Sequence, residues 1–285
     1  SDEKSRESFR QTHGALLEEI EQIRRAIAAD KELYEHIRHK YSIKNVTGLN
    51  LLPFILFEDP FDILAHCMVG SEGTLAFISE VSINTAPEVA FSASAMLYFD
   101  DMAEAARAVI ALHKAGTVQS CELLDKKSLA SVHDPHGDGL TALLLSTEAD
   151  SKEDLQKQID ATMEAIAPFR LAYPAHFSTD PAEVAAWWQM RSGIFPAVGG
   201  TRPARTTALI EDVAFHIDDL AEGIVALAQM LEDCGYDEAC IYGHALAGNF
   251  HFILAQGFET QADVDKYKHL MKEIEALVVG RFNGS

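Results

Sequence analysis

Residues 243–251 have the sequence GHALAGNFH and lie between two short stretches that are typical of β-strands. His244 and His251 lie an odd number of positions apart, so one continuous strand would point their side chains to opposite faces. The sequence AGN at 247–249 favours a chain reversal, because glycine and asparagine tolerate turn conformations. A turn there would bring both imidazoles to one side of a hairpin. Adjacent imidazoles indicate a metal site or a general base, and the structural alternative is a pair of hydrogen-bonded core histidines.

A second glycine motif, GSEGT, occupies residues 70–74 and leads into the stretch LAFISEVSI at 75–83, which is typical of a strand. Glycines let a backbone approach a ligand closely or take positive φ, and successive amides can then donate to a phosphate or to the edge of a flavin. A plain turn between two strands is the alternative. The motif is not a P-loop, since no Gly-Lys-Ser/Thr ending follows, and a strand after it argues against a dinucleotide fingerprint.

The N-terminal part is predicted to be mainly helical before the second glycine motif. Apolar residues spaced by three and four positions predict an amphipathic helix, and a charged helix is predicted at 31–40. Pro87 ends this part, so we place a domain boundary there, between residues 1–87 and 88–285. The apolar positions of the first helix are Leu16, Leu17, Ile20, Ile23 and Ile27.

From residue 88 onward, strand-like and helix-like stretches alternate at short intervals. Strands separated by single helices, with a hairpin near the end, predict an α+β fold in which an antiparallel sheet has helices on one face. The predicted strands are 91–99, 118–124, 140–147, 208–215, 238–242 and 250–254, and the predicted helices are 102–115, 152–167, 182–195, 218–234 and 262–279.

Charge and cysteine spacing exclude several functional classes. The chain of 285 residues has a net charge of -21, which repels phosphate backbones and anionic lipids, so we expect no nucleic-acid partner. No apolar run reaches the roughly 18 to 20 residues that span a bilayer, and the charged N-terminus does not resemble a signal peptide. The 4 scattered cysteines suggest neither a zinc ribbon nor an iron–sulfur site. We therefore expect a soluble cytoplasmic protein.

The two glycine motifs together resemble the FAD-linked oxidase family. Residues 40–87, with IKNVTG at 43–48 and MVGSEGTL at 68–75, are similar to the latter half of that family's FAD-binding domain. The remainder resembles its C-terminal substrate domain, a ferredoxin-like α+β sheet whose signature is similar to 243–251. The family includes D-lactate dehydrogenase, glycolate oxidase and D-2-hydroxyglutarate dehydrogenase. The details resemble the large bacterial type, in which an iron–sulfur module follows the flavin part.

The resemblance implies roles for particular residues. His244 and His251 would face the flavin as catalytic residues and, as in metal-dependent members, bind zinc or a similar divalent ion. Arg191, in WWQMR at 187–191, matches the residue that binds a substrate carboxylate, and Asn249 is implied in the same substrate site; a helix-surface salt bridge is the alternative for the arginine. The FAD-binding residues implied are Asn45, Gly48, Gly70, Ser71, Glu72, Gly73, Thr74 and Ile78.

The implied reaction is oxidation of a D-2-hydroxy acid, D-lactate or D-2-hydroxyglutarate, by hydride transfer to FAD. The family pattern includes an acid where Ala247 stands, a further glutamate ligand for the metal, the first half of the FAD domain and iron–sulfur cysteines, none of which is found in residues 1–285. We therefore expect an inactive fragment that binds FAD weakly or not at all and self-associates through apolar surface at 63–69 or 78–83. The alternatives are a non-catalytic α+β binding or dimerisation module and an FAD-linked alcohol oxidase for larger substrates.

Overall fold

The structure, a computed structural model, describes residues 3–44 and 49–285. The chain divides into two compact units, Ser1–Thr85 and Ala86–Ser285. This division lies close to the boundary that we place at residue 87. None of the helices in the described ranges is long and apolar enough to cross a membrane.

The described part of the first unit contains four helices: α1 (Glu3–Ala29), α2 (Lys31–Lys40), α3 (Pro53–Leu56) and α4 (Pro60–Cys67). The side chain of Asp30 accepts hydrogen bonds from two backbone amides at the start of α2, and Asp59 caps α4 by accepting one from the amide of Phe61. Such caps satisfy amide groups that have no partner inside the helix. Arg6 on α1 forms a 2.6 Å salt bridge with Asp59, the residue that caps α4, and so links the two helices. In α1, the predicted apolar face is narrower than expected, because Leu16 and Ile23 are exposed.

The strand predicted at 75–83 is absent, since no helix or strand lies between α4 and residue 91. A strand needs a neighbouring strand to satisfy its amide and carbonyl groups, and the described part of this unit contains no other strand. The alternation of apolar residues at 75–83 is therefore not enough to form a strand. The side chain of Phe77 is 92% exposed, and the apolar residues within 78–83 are exposed as expected, whereas Ile63 is fully buried.

The second unit is built on one seven-stranded sheet in the order β4-β1-β3-β2-β6-β7-β5, and all paired strands are antiparallel. The predicted α+β fold with an antiparallel sheet is therefore confirmed. Its strands are β1 (Phe91–Phe99), β2 (Ser120–Leu124), β3 (Thr141–Ala149), β4 (Phe177–Ser178), β5 (Thr207–Ala214), β6 (Cys240–His244) and β7 (Asn249–Gln256). Its helices are α5 (Met102–Ala115), α6 (Lys126–Ser131), α7 (Lys152–Ile166), α8 (Pro181–Thr201), α9 (Leu220–Asp233) and α10 (Gln261–Glu275), which continues as a π-helical segment, Ala276–Arg281.

The two faces of this sheet are covered differently. On the first face, alternate strand residues such as Leu123 and Phe252 form a large apolar core with α5, α9 and α10. The second face has a smaller core, to which α8 contributes Ile194 and α6 contributes Leu129. The sequence analysis expected helices on one face of the sheet, whereas the structure also has α6 and α8 packed on the second face. The position of α8 matters because this helix carries Arg191 and packs on the face of the sheet that bears the two histidines.

Candidate functional site

The register of four neighbouring strands places the candidate residues on the second face of the sheet. Glu122 on β2 pairs directly with His244 on β6, and Tyr242 on β6 pairs with His251 on β7. On the other side of β7, Asp212 on β5 pairs with His251. Directly opposed residues of antiparallel strands project to the same face. The sheet therefore places two carboxylates, two imidazoles and a phenol on one face, in two adjacent cross-strand rows: Glu122 with His244, and Tyr242 with His251 and Asp212.

The turn predicted between the two histidines is present. A short 3-10 helix, Ala245–Ala247, and the left-handed residue Gly248 reverse the chain between β6 and β7. The imidazole centroids of His244 and His251 lie 5.4 Å apart with an interplanar angle of 83°. Gly248 has φ +64°, and a Cβ atom there would lie 2.1 Å from the carbonyl oxygen of Phe215. The turn therefore requires glycine at this position.

Glu122 connects the histidine to the arginine. Its Oε1 lies 2.6 Å from Nδ1 of His244, while its Oε2 accepts hydrogen bonds from Nε and Nη2 of Arg191 at 2.9 and 2.8 Å. The side chain is 6% exposed. Burial acts to raise the pKa of Glu122, but the hydrogen bond from His244 and the charge of Arg191 outweigh it and hold this pKa below its ordinary value. Glu122 is therefore a buried carboxylate whose two oxygens serve different partners.

Arg191 lies between Glu122 and the aromatic ring of Tyr242. Its guanidinium carbon is 4.9 Å from the centroid of that ring. The guanidinium has five N–H donors, of which Glu122 takes one on Nε and one on Nη2. The hydrogen bonds to Glu122 thus leave one N–H of Nη2 and both of Nη1 for a ligand. Arg191 therefore forms a salt bridge, but with a buried carboxylate of the sheet and not on the surface of its own helix.

His251 has a carboxylate partner of its own. Its Nδ1 lies 2.5 Å from Oδ1 of Asp212. The amide of Asn249 donates to the same Oδ1 at 3.1 Å and to the carbonyl of Val213 at 3.0 Å. Asn249 is fully buried, so its placement favours support of Asp212 over the substrate contact that the sequence predicted.

The arrangement leaves Nε2 as the chemically useful nitrogen of His244. Its Nδ1 is hydrogen-bonded to Glu122, which is the arrangement that orients histidines acting as bases or metal ligands, whereas Nδ1 of His251 lies close to Asp212 without an aligned hydrogen bond. The side chain of His244 is 42% exposed and that of His251 is 17% exposed. Within residues 3–44 and 49–285, no group of three or more histidine, cysteine, aspartate or glutamate side chains is placed to hold a metal ion. The described residues therefore do not form the metal site that the resemblance implies.

Comparison with known proteins identifies the family. The family described as FAD linked oxidases, C-terminal domain, matches residues 89–285. The chain belongs to this family. It is 25% identical over 218 residues to the mitochondrial D-lactate dehydrogenase [cytochrome] of Arabidopsis thaliana, covering 73% of this chain and 37% of that protein. It is also 28% identical over 214 residues to the glycolate oxidase subunit GlcD of Escherichia coli (strain K12), covering 68% of this chain and 39% of that subunit.

This FAD-linked oxidase chain spans about two-fifths of the length of these two curated relatives. Among solved structures, it is similar to an alkyldihydroxyacetonephosphate synthase with a TM-score of 0.52 and 14% identity. That match covers 77% of this chain and 44% of the synthase. At this identity the likeness concerns the fold alone.

The GSEGT loop belongs to the other unit and forms a compact turn. Gly70 and Gly73 have positive φ, as expected, and so does Glu72. The backbone amides of Ser71 and Thr74 donate to carbonyls within the same turn, at 3.2 and 2.9 Å. A Cβ atom at Gly73 would have no neighbour within 4 Å, so the backbone there is open to a ligand. Ile78 is exposed, and the predicted cofactor residues Asn45 and Gly48 lie outside the described residues.

The sequence analysis missed Glu122, Asp212 and Tyr242. A signal was present for the first two, because each acid interrupts an apolar strand, CELL at 121–124 and IEDV at 210–213. Charged side chains are rarely buried unless they are paired, which applies to Glu122; the side chain of Asp212 is partly exposed. Their partners are set by strand register, which the sequence alone did not provide.

Proposed function

We propose that the whole protein is an FAD-dependent enzyme that oxidises a small D-2-hydroxy acid. One observation carries the proposal: a guanidinium with a free edge and an imidazole with a free Nε2 are held on the same buried carboxylate. A 2-hydroxy acid carries a carboxylate and a hydroxyl on neighbouring carbons, so it presents an anion and a proton to such a pair. Membership of the FAD-linked oxidase family and relatives named for D-lactate and glycolate support this reading.

In this proposal Arg191 binds the substrate carboxylate through its remaining N–H donors. His244 then accepts the hydroxyl proton at Nε2, because Nδ1 is held by Glu122. Bound FAD would supply the hydride acceptor for the hydrogen of the α-carbon. D-Lactate and D-2-hydroxyglutarate are the substrates that we propose for this site.

We propose that residues 70–74 and Ile78 contribute to FAD binding together with Asn45, Gly48 and the rest of the protein. The positive φ values of Gly70 and Gly73 and the open space above Gly73 support this assignment. A divalent metal such as zinc needs ligands beyond the two imidazoles, since catalytic zinc usually has three protein ligands. No step proposed for Arg191 or His244 depends on a metal.

The proposal is tested by kinetics of Arg191→Lys in the whole protein. Lysine keeps a positive charge beside Glu122 but loses the planar fork, so the variant should stay folded and bind a carboxylate poorly. We expect KM for D-lactate or D-2-hydroxyglutarate to rise about 10-fold or more, since one charge-assisted hydrogen bond contributes about 1.5 to 3 kcal/mol. Arg170→Lys is the matched control, because the side chain of Arg170 is 88% exposed. Unchanged KM in Arg191→Lys would contradict the proposed role.

A further inference from the structure

We infer that Glu122 is a positioning residue that sets both the tautomer of His244 and the orientation of Arg191. The inference rests on the proposed function, because it assigns a supporting residue to the same site. The inference goes beyond the proposed function, because it states which nitrogen of His244 carries the proton and which side of the Arg191 guanidinium remains for a ligand.

The carboxylate of Glu122 is fixed before any ligand arrives. Strand β2 lies between β3 and β6 in the interior of the sheet, and Glu122 pairs in register with His244. Its side chain is almost completely buried, so water does not compete for its oxygens. A buried carboxylate without partners would be strongly unfavourable, and here His244 and Arg191 serve as its partners.

The chemistry of these partners determines the proton on the imidazole. A carboxylate can only accept hydrogen bonds, so the Nδ1 of His244, 2.6 Å away, must carry a proton. In the neutral ring, Nε2 then has the free lone pair that a general base requires. The same carboxylate, through its other oxygen, holds the Nε and Nη2 side of Arg191. The Nη1 side is therefore the one that remains for a ligand.

Replacing the carboxylate by an amide should reverse the tautomer. A guanidinium has donors but no acceptor, so in Glu122→Gln the amide oxygen must face Arg191. The amide NH2 group then faces Nδ1 of His244, which must accept a hydrogen bond, and the ring proton moves to Nε2. The nitrogen that should receive the substrate proton is then blocked. In the serine protease triad, the equivalent aspartate-to-asparagine change lowers kcat about 10⁴-fold through the wrong tautomer.

The experiment records imidazole nitrogen NMR spectra of the 285-residue chain with 15N-labelled histidines, in the presence of a metal chelator. The His244 signals are assigned by their loss in His244→Gln. We expect the Nδ1–H tautomer in the wild type and the Nε2–H tautomer in Glu122→Gln, whereas Glu122→Asp, which keeps a carboxylate, should restore Nδ1–H. An unchanged tautomer in Glu122→Gln, with circular dichroism showing a folded chain, would overturn the inference.

Kinetics of the whole protein provide the second measurement. We expect Glu122→Gln to lower kcat for the 2-hydroxy acid by about 100-fold or more, since general-base catalysis contributes about 10² to 10⁴. The increase in KM should be smaller, because Arg191 keeps an oxygen partner. A changed tautomer with unchanged kcat would overturn the positioning role. The tautomer measurement needs neither FAD nor substrate, so failure of the proposed function and failure of this inference are distinguishable.

Discussion

Glu122 determines, at the scale of single residues, what His244 can do. Its carboxylate is hydrogen-bonded to Nδ1 and leaves Nε2 for chemistry, whereas Asp212 lies close to Nδ1 of His251 without an aligned hydrogen bond. The histidine pair was predictable because the short sequence AGN at 247–249 favours the turn between the two residues. Glu122 was not, because it lies far from His244 in the sequence and meets it only through strand register. Local patterns predict local geometry, whereas cross-strand partners require the sheet order.

Gly248 provides a residue-scale prediction for the turn that brings the imidazoles together. Ala at this position would have both an unfavourable left-handed backbone and a clash with the carbonyl of Phe215. We expect Gly248→Ala to lower the free energy of unfolding by at least about 3 kcal/mol in urea titrations. The control is Gly116→Ala, since Gly116 has φ +63° and a Cβ atom there would have no neighbour within 4 Å, so it should lose about 1 to 2 kcal/mol. Equal losses would contradict the proposed clash.

At the scale of elements, the bounds of several helices and strands follow from the sequence alone. The predicted and observed ranges of β1 and α5 agree, because alternation, cap residues and Gly116 mark their ends. The strand predicted at 75–83 was wrong, because a strand forms only beside another strand. Helix α8 continues through Pro196 to Thr201, past the predicted end at 195. Packing of α8 on the sheet was not predictable, since its apolar residues surround the helix without a single clear face.

Tyrosines buried around the sheet predict a loss of stability at alkaline pH. The hydroxyl of Tyr236, between α9 and β6, donates to Gln256 on β7 at 2.5 Å, and burial raises its pKa from 10.0 to about 12. A raised pKa means that the folded state favours the neutral phenol. This stability is fully present below pH 10.0 and is lost as pH rises through about 12.

The test is a urea titration at several pH values for the wild type and Tyr236→Phe. We expect the urea concentration at the unfolding midpoint of the wild type to decrease as the pH rises above 10.0. This decrease should be less steep in the variant, because one titrating phenol is removed. The pKa of Tyr242 is also raised by burial, so Tyr236→Phe should reduce the alkaline loss without abolishing it. An identical pH dependence in both proteins would show that Tyr236 contributes nothing to it.

At the scale of the whole molecule, the unit Ala86–Ser285 holds the cluster that we propose to bind and deprotonate the substrate. The unit Ser1–Thr85 holds the described part of the predicted FAD loop. The family was predictable from two motifs, because both resemble the motifs of that family and lie in the expected order. The amides of Ser71 and Thr74 are bonded within their own turn, which the motif alone did not predict. The activity of the whole protein is therefore argued from the cluster on the sheet.

The most direct test of this account is reduction of the bound flavin in the whole protein. Purified protein is saturated with FAD without oxygen, and its visible absorbance is followed after addition of D-lactate, D-2-hydroxyglutarate or the matching L-isomers. The account predicts rapid loss of the oxidised flavin spectrum with a D-2-hydroxy acid, and slower loss in Arg191→Lys. No FAD binding, or flavin reduction that is equally fast in Arg191→Lys, would contradict the central claim that this cluster presents a hydroxy acid to FAD.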